Sequence, residues 1–394
     1  MAAKDIRNPL AGGGTFEYFR LASKLCKSGY EVSVLCGGYS GGRKKEVVDG
    51  IQVNRIGGSW SVYILSLFAL LLDSNLRRHD KIVNVEENGI PFLAPYLLRI
   101  PSVIICWHLP RETFFVELMN QYGKLLGFFV ATLLCFFEDY LSPKLFRSTT
   151  VFTFSQCSQT DLADVGFKDV RMYEFALAKG IMLLSNNLSK LPIDDQSNLE
   201  GAYGNPQLLV VGRLTKYKGV QDIIHALPRL IHEFPNLRLV IVGRGEYEPE
   251  LIRLTKDLGL ENYVIFAGYV SVSRKMELYR QSQLNLVPSY KEGFPTPLIE
   301  AALVAIPTMV PNRMGLREFV KNGQTGFVYN CDGFLSPRPD FEILTSKIGS
   351  ILRNNSLRVH VGLAAQRFYN NTNIDSNETR FLQDFDRTLK GRIG

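Results

Sequence analysis

Two glutamates, Glu292 and Glu300, bracket a short stretch where an apolar run gives way to a helical pattern. Leu284-Asn285-Leu286-Val287 reads as a buried strand, stopped by Pro288 and Ser289. Thr296 is suited to cap the helix that follows. Pro297 suits its first position, where a missing N–H costs nothing. Glu292 then lies on the loop at the carboxyl end of the strand, and Glu300 in the first turns of the helix. Between them, Gly293, Phe294, Pro295 and Thr296 fall at the positive end of the helix dipole. Backbone N–H groups at such a terminus suit an anion, phosphate above all. The flanking carboxylates suit hydroxyl groups, and phosphate beside hydroxyls is the chemistry of a sugar nucleotide. The plainer alternative makes Glu292 a solvated loop charge and Glu300 a favourable charge at a helix start.

Three further segments carry reactive side chains or open backbone. Gly212-Arg213-Leu214-Thr215-Lys216-Tyr217-Lys218-Gly219 follows the apolar strand Leu208 to Val211. Open α/β sheets bind ligands beyond the carboxyl ends of their strands, which places Arg213 and Lys218 well. Gly12-Gly13-Gly14 precedes a helix and lets a phosphate or sugar approach the backbone; a tight turn is the alternative. Trp107-His108-Leu109-Pro110-Arg111-Glu112 follows a strand ending at Cys106, so His108 projects at that sheet's carboxyl edge. A lone histidine is as readily structural. Arg111 and Glu112 are weaker candidates, for an acceptor.

The elements that must hold these residues alternate between strand and helix. In the N-terminal half a helix spans Phe16 to Leu25, and strands are predicted at Glu31–Cys36, Ile51–Ile56, Lys81–Val85, Val103–Cys106, Thr150–Phe154 and Val170–Tyr173. Asn186 to Pro206 is rich in Asn, Ser, Asp, Gly and Pro and reads as an interdomain linker. The alternation then restarts, with strands at Leu208–Val211, Leu237–Val242, Val264–Phe266, Pro307–Val310 and Gly326–Tyr329. Such alternation means parallel sheets covered on both faces. Neither half carries G-x-G-x-x-G after a strand, so a dinucleotide site is not supported.

The Glu292-to-Glu300 stretch, preceded by Pro-Ser and followed by Ala301-Ala302, resembles the E-x7-E motif of retaining, metal-independent glycosyltransferases of the GT-B fold. These form glycosyltransferase family 4, the glycosyl transferases group 1. The resemblance runs from Asn8 to about Tyr329 and is strongest from Leu208 onward. It implies two Rossmann-like, doubly wound domains facing across a cleft: residues 1–184 on the acceptor side, with a C-terminal helix in 375–394 packing back onto them, and residues 185–374 on the donor side. In the family a strand precedes the glycine-rich loop. Here it is missing or very short, which suggests a truncated start.

By the same resemblance Arg213 and Lys218 clamp a donor diphosphate. Two fixed cations facing that group stabilise charge that grows in the transition state. Glu292 and the amides after it hold the sugar, Glu300 holds the ribose, Gly13 and Gly14 approach the donor, and His108 contacts its sugar or the reaction centre. Many relatives have an acidic residue where this chain has Thr15. Gly315 and Glu318 transfer only weakly, because Met314 replaces the usual small residue before them. The implied reaction moves a hexose from a UDP- or GDP-linked sugar to a glycan or lipid-linked acceptor, without a separate cofactor or a metal. A sugar-nucleotide epimerase or hydrolase on the same architecture, or a non-catalytic nucleotide-sugar binder, are the alternatives.

Composition sets the bounds. At 394 residues, two domains are the default. An apolar content of 46% excludes a disordered chain. Six widely spaced cysteines with no C-x-x-C pair argue against a disulfide framework or zinc site, and for reduced core residues in the cytoplasm. No secretory signal opens the sequence. The net charge of +7 comes in short clusters that read as solvated faces; an anionic membrane surface at the inner leaflet, or an anionic donor, is the next explanation. No motif supports nucleic-acid binding. Two apolar runs, Trp60–Leu72 and Leu125–Phe137, fall short of the roughly 20 residues that span a bilayer. Buried helices are the favoured reading, though the second run could lie in a membrane interface.

Overall fold

A computed structural model describes residues 1–394 except 10, 87–90, 175–204, 314, 334–337, 373 and 392–394; of residues 112, 374 and 375 it describes the backbone only. The expected linker at Asn186–Pro206 therefore lies, but for its last two residues, outside the described residues, as does Met314. The chain divides into two compact units. One comprises residues 1–111, 129–177 and 374–394, the other residues 112–128 and 178–373.

In the first unit, β1 (Ser33–Cys36) runs parallel to β3 (Ile51–Arg55), and β2 (Lys45–Val48) pairs antiparallel with β3. Asp49 and Gly50 connect β2 to β3, both with positive φ, as the tightest hairpin turns require. A second group, β4 (Ile82–Glu86), β5 (Ser102–Cys106), β6 (Val151–Thr153) and β7 (Val170–Met172), is parallel throughout and adjacent in that order. The expected opening strand is reduced to one bridge. Ala2 pairs with Cys36, and the Ala2 N–H donates to the Leu35 carbonyl at 3.1 Å. The helix Gly13–Lys27 packs Tyr18, Phe19 and Ala22 into a core with Val34, Ile51 and Val53. The closing helix Ile374–Lys390 belongs to this unit and buries Phe381 and Phe385 fully.

The two apolar runs are helices, but not buried ones. In Val62–Leu72, Ile64 is 68% exposed and Leu72 84% exposed. The helix Lys124–Phe136 continues without interruption to Leu145, so the helical run is 22 residues long, enough by length and composition to cross a membrane. Leu125, Phe129, Leu133 and Phe136 recur at helical spacing along it and are all exposed. Core burial therefore fails as the reason for their apolarity.

The second unit is built on a six-stranded parallel sheet of β8 (Gln207–Val211), β9 (Arg238–Val242), β10 (Val264–Gly268), β11 (Leu284–Leu286), β12 (Thr308–Pro311) and β13 (Phe327–Tyr329). The spatial order is β10-β9-β8-β11-β12-β13. Both faces are covered: Leu208, Val210 and Ile241 pack into one core, Leu209, Val240 and Val242 into another. That is why these strands read as unbroken Leu/Ile/Val runs. β8 and β11 lie side by side where the strand order reverses. At such a switch point the two following loops part and leave a crevice at the carboxyl edge of the sheet. The loops in question are Gly212–Gly219 and Val287–Pro295.

Candidate active site

The loop after β8 is held from both sides. The Leu214 N–H donates to the Arg244 carbonyl, and the Tyr247 N–H to the Leu214 carbonyl, each at 2.9 Å. Lys216–Lys218 then forms a single 3-10 turn. Gly219 closes it at φ +70° and begins the helix Val220–Glu233. A Cβ on Gly219 would stand 2.2 Å from the Pro288 carbonyl oxygen, so only glycine lets this turn press against the loop after β11. The two loops are also bonded. The Tyr290 N–H donates to the Tyr217 carbonyl at 2.8 Å, and the Tyr290 hydroxyl donates to Asp222 Oδ2 at 3.0 Å.

This clip brings Lys218 Nζ to 2.5 Å from Glu292 Oε1, although the residues are 74 apart in sequence. Burial alone would draw the Lys218 ammonium down. The adjacent Glu292 carboxylate outweighs it and holds the group above its ordinary value. Arg213 is likewise raised: burial opposes its charge, while Tyr217, Glu246 and Glu117 favour it. Both cations are therefore fixed as cations. Glu292 is itself buried.

The helix after Glu292 spans Thr296–Leu303. Thr296 is its first residue and Pro297 its second, and no side chain caps it; the expected Thr296 cap is not formed. Gly293 and Pro295 are buried, while Phe294 and Thr296 are half-buried. Glu300, one turn in, is engaged on both oxygens. Lys275 Nζ donates to Oε1 at 2.6 Å, and the fully buried Tyr279 donates its hydroxyl to Oε2 at 3.0 Å.

One contributor escaped the sequence reading. The helix Arg111–Tyr122 lies in sequence between strands of the first unit, yet Val116 sits in the second unit's core. Its Glu117 Oε1 accepts the Tyr217 N–H at 2.7 Å, and its Asn120 Oδ1 accepts from Lys216 Nζ at 3.1 Å. An apolar position at Val116 with polar ones at Glu117 and Asn120 was the available signal, but nothing in it names the partner. Arg111 pairs with Asp139 and Asp161 in the first unit. The Glu112 side chain is outside the described residues.

Gly13, Gly14 and His108 belong to the first unit. Gly13 and Gly14 open the helix Gly13–Lys27. A Cβ on Gly14 would lie 2.9 Å from Trp107 Nε1, so the glycine turn packs on the indole next to His108. Trp107 is buried, and Ser158 Oγ donates to its carbonyl at 2.8 Å. Thr15 is buried and its Oγ1 accepts from the Gly12 N–H at 3.3 Å.

Residues 193–368 match the family described as Glycosyl transferases group 1. The chain carries a group 1 glycosyltransferase domain. It is accordingly an enzyme, a glycosyltransferase working from a sugar nucleotide. An uncharacterised glycosyltransferase of Methanocaldococcus jannaschii is 24% identical over 329 residues, 80% of this chain and 81% of its own. Among solved structures, sucrose-phosphate synthase from Thermosynechococcus elongatus superposes with a TM-score of 0.74 at 17% identity, covering 98% of this chain and 97% of that one. HepE of Anabaena, solved with UDP-glucose, gives a TM-score of 0.63 at 18% identity, over 96% and 97% of the two chains. The fold of this glycosyltransferase is thus GT-B.

Proposed function

We propose that the protein is a retaining, metal-independent hexosyltransferase of glycosyltransferase family 4, taking a hexose from a UDP- or GDP-linked donor. The observation that carries this reading is the Lys218–Glu292 pair: a cation and a carboxylate, supplied by the two loops at the switch point, meet at 2.5 Å. A departing diphosphate needs fixed positive charge, and Lys218 with Arg213 supplies it where a metal would otherwise serve. Glu292 orients Lys218 and offers its remaining oxygen and the following amides to the sugar hydroxyls. Glu300, anchored by Lys275 and Tyr279, presents its carboxylate edge to a ribose. The family resemblance gives His108, Gly13 and Gly14 contacts with sugar and phosphate. On this reading the leaving diphosphate takes the acceptor's proton on the same face, so the anomeric configuration is kept. No side-chain base is then required.

The acceptor is a glycan or lipid-linked saccharide, and the enzyme works in the cytoplasm against the inner face of the membrane. The exposed stripe Leu125, Phe129, Leu133 and Phe136 supports that placement, since exposed apolar side chains in such a row suit the bilayer interface. The UDP-glucose complex of HepE supports a UDP-linked donor.

The test is turnover with a panel of UDP- and GDP-linked hexoses, with the product's anomeric configuration read by NMR. Retention is expected. Lys218→Ala should lower kcat/KM on the order of 10²–10³-fold, the usual loss for one preorganised donor to a developing oxyanion. An inverted product would reject the mechanism, and wild-type turnover in the variant would reject the clamp.

A further inference from the structure

The cations of the loop after β8 are balanced by carboxylates of the protein itself. Arg213, Lys216 and Lys218 carry the positive charge. Glu292 meets Lys218, Glu117 and Glu246 act on Arg213, and Glu117 acts on Lys216 as well. Three cations thus face three carboxylates, and their charges cancel. A diphosphate esterified at both ends brings negative charge only, so its arrival tips that balance. Uncompensated charge in a half-buried site is costly, and a nearby carboxylate relieves it by accepting a proton.

The three carboxylates differ in what keeps them ionised. Glu292 is held by the Lys218 ammonium at 2.5 Å. Glu246 is exposed, so water screens it. Glu117 is half-buried on the helix Arg111–Tyr122, and its Oε1 accepts at 2.7 Å from the neutral Tyr217 N–H rather than from a cation. That N–H lies between Lys216 and Lys218 in the chain. Val116 anchors the helix in the second unit's core, and Asn120 Oδ1, accepting from Lys216 Nζ at 3.1 Å, fastens it to the loop again. The groups facing Glu117 are Arg213 and Lys216 of the loop after β8, and Glu246 and Tyr247 of the loop after β9. Burial, with Glu246 adding to it, pushes the Glu117 carboxyl above its ordinary value; the Tyr217 N–H, Arg213 and Lys216 oppose the rise without cancelling it.

We propose that Glu117 takes up a proton from solvent when a nucleotide-sugar diphosphate binds, and returns it when the diphosphate leaves, while its hydrogen bond to Tyr217 holds the cation loop in both states. It is a positioning residue, acting through the loop and not on the reacting atoms. Carboxylate and neutral acid alike keep an oxygen that accepts from the Tyr217 N–H, so the loop keeps its place as the charge changes. The inference rests on the donor reading above, in which this loop holds the diphosphate. The sign follows from the charge. A second anion raises the bound-state pKa of Glu117 above its free-state value. Binding is therefore strongest below both and weakens as pH rises through the interval between them.

UDP-glucose and GDP-mannose are the probes, because a diphosphate esterified at both ends does not itself titrate near neutrality. Titration calorimetry of the full chain, in buffers of high and low ionisation enthalpy, counts the protons taken up per donor from about pH 5 to about pH 8. Wild type should take up as much as one proton. Its Kd should rise with pH by at most about tenfold per unit, the limit for a single proton. Glu117→Gln keeps an oxygen for the Tyr217 N–H and cannot ionise. It should bind with that uptake gone, matching the wild-type Kd at low pH and falling below it at high pH. Should the variant not fold, the wild type's infrared difference spectrum decides: a protonated-carboxyl C=O band that appears with donor supports the proposal, and its absence overturns it. Wild-type binding without proton uptake, or equal uptake in the two proteins, overturns the proposal and leaves the donor reading standing. Binding of neither probe to the folded wild type overturns the donor reading, and the proposal with it.

Discussion

Asp222 shows how one side chain in the second unit couples site geometry to proton concentration. It sits in the first turn of the helix Val220–Glu233, is buried, and accepts a hydrogen bond from Tyr290, two residues before Glu292. Burial raises its pKa from 3.8 to about 7, and the Tyr290 hydrogen bond only partly opposes this. The sign follows. An acid whose folded pKa lies above its unfolded one binds its proton more tightly when folded. Its contribution to stability is complete below pH 4 and is lost as pH rises toward 7. Asp222→Asn keeps an oxygen for the Tyr290 hydroxyl and removes the ionisation. The variant should match wild type near pH 4 and be more stable at pH 8, by at most about 4 kcal/mol for a rise of that size. Chemical denaturation at the two pH values decides it; a variant that loses stability equally at both would mean that Asp222 is not the titrating group.

Elements, rather than single residues, decide whether the site forms, and the decisive ones are loops. The loop carrying Glu292 is backed by Gly315, at φ +79°, where a Cβ would stand 1.8 Å from the Glu292 carbonyl oxygen. Neither the backbone angle nor the space admits a side chain. Gly315→Ala must therefore push the Glu292 loop off its place. A displacement near 1 Å at a catalytic constellation costs about a hundredfold, so kcat/KM should fall by about that factor while the sheet stays folded by circular dichroism. Full activity in the variant would free the Glu292 loop from this constraint.

The same scale explains what the sequence made legible. Every strand of the six-stranded sheet stood out, because burial on both faces writes it as an apolar run. The loops of Arg213, Lys218 and Glu292 then followed from strand ends, and Glu300 from the helix start that the turn residues after β11 mark. What was not legible was contact made across sequence. Glu300's bonds to Lys275 and Tyr279, and the docking of Val116, Glu117 and Asn120 on the second unit, are set by tertiary placement and leave no periodicity. The edge strand Lys45–Val48 was hidden for another reason: three of its four residues are partly or fully exposed, so it lacks the apolar run of a buried strand. Exposed apolar helices misled in the opposite direction, since composition reports apolarity and not what covers it.

At the scale of the whole molecule the chain forms two compact units, each assembled from separated stretches of sequence, and the helix Ile374–Lys390 is structural to the first. Phe381 and Phe385 meet Phe152 edge-on at ring-centroid distances of 5.7 and 5.1 Å, and Phe381 also meets Phe154 at 5.5 Å and Tyr173 at 5.5 Å. Charged pairs fasten the helix along its length: Glu378 with Arg20 and Lys24 at 2.7 and 2.5 Å, Asp384 with Arg171 at 2.9 Å. The aromatic burial dominates, because partly exposed ion pairs contribute little and a buried Phe→Ala change costs about 3–5 kcal/mol. Phe381→Ala should therefore weaken the first unit alone. The chain's two tryptophans, Trp60 and Trp107, both lie in that unit and make its unfolding separately visible. With about 2–4 °C lost per kcal/mol in a body of this size, the fluorescence midpoint should drop by roughly 6–20 °C. Calorimetry should then show a second transition near its wild-type temperature, since two units need not unfold as one. A single transition that shifts as a whole would mean that the two units unfold together and that the closing helix stabilises both.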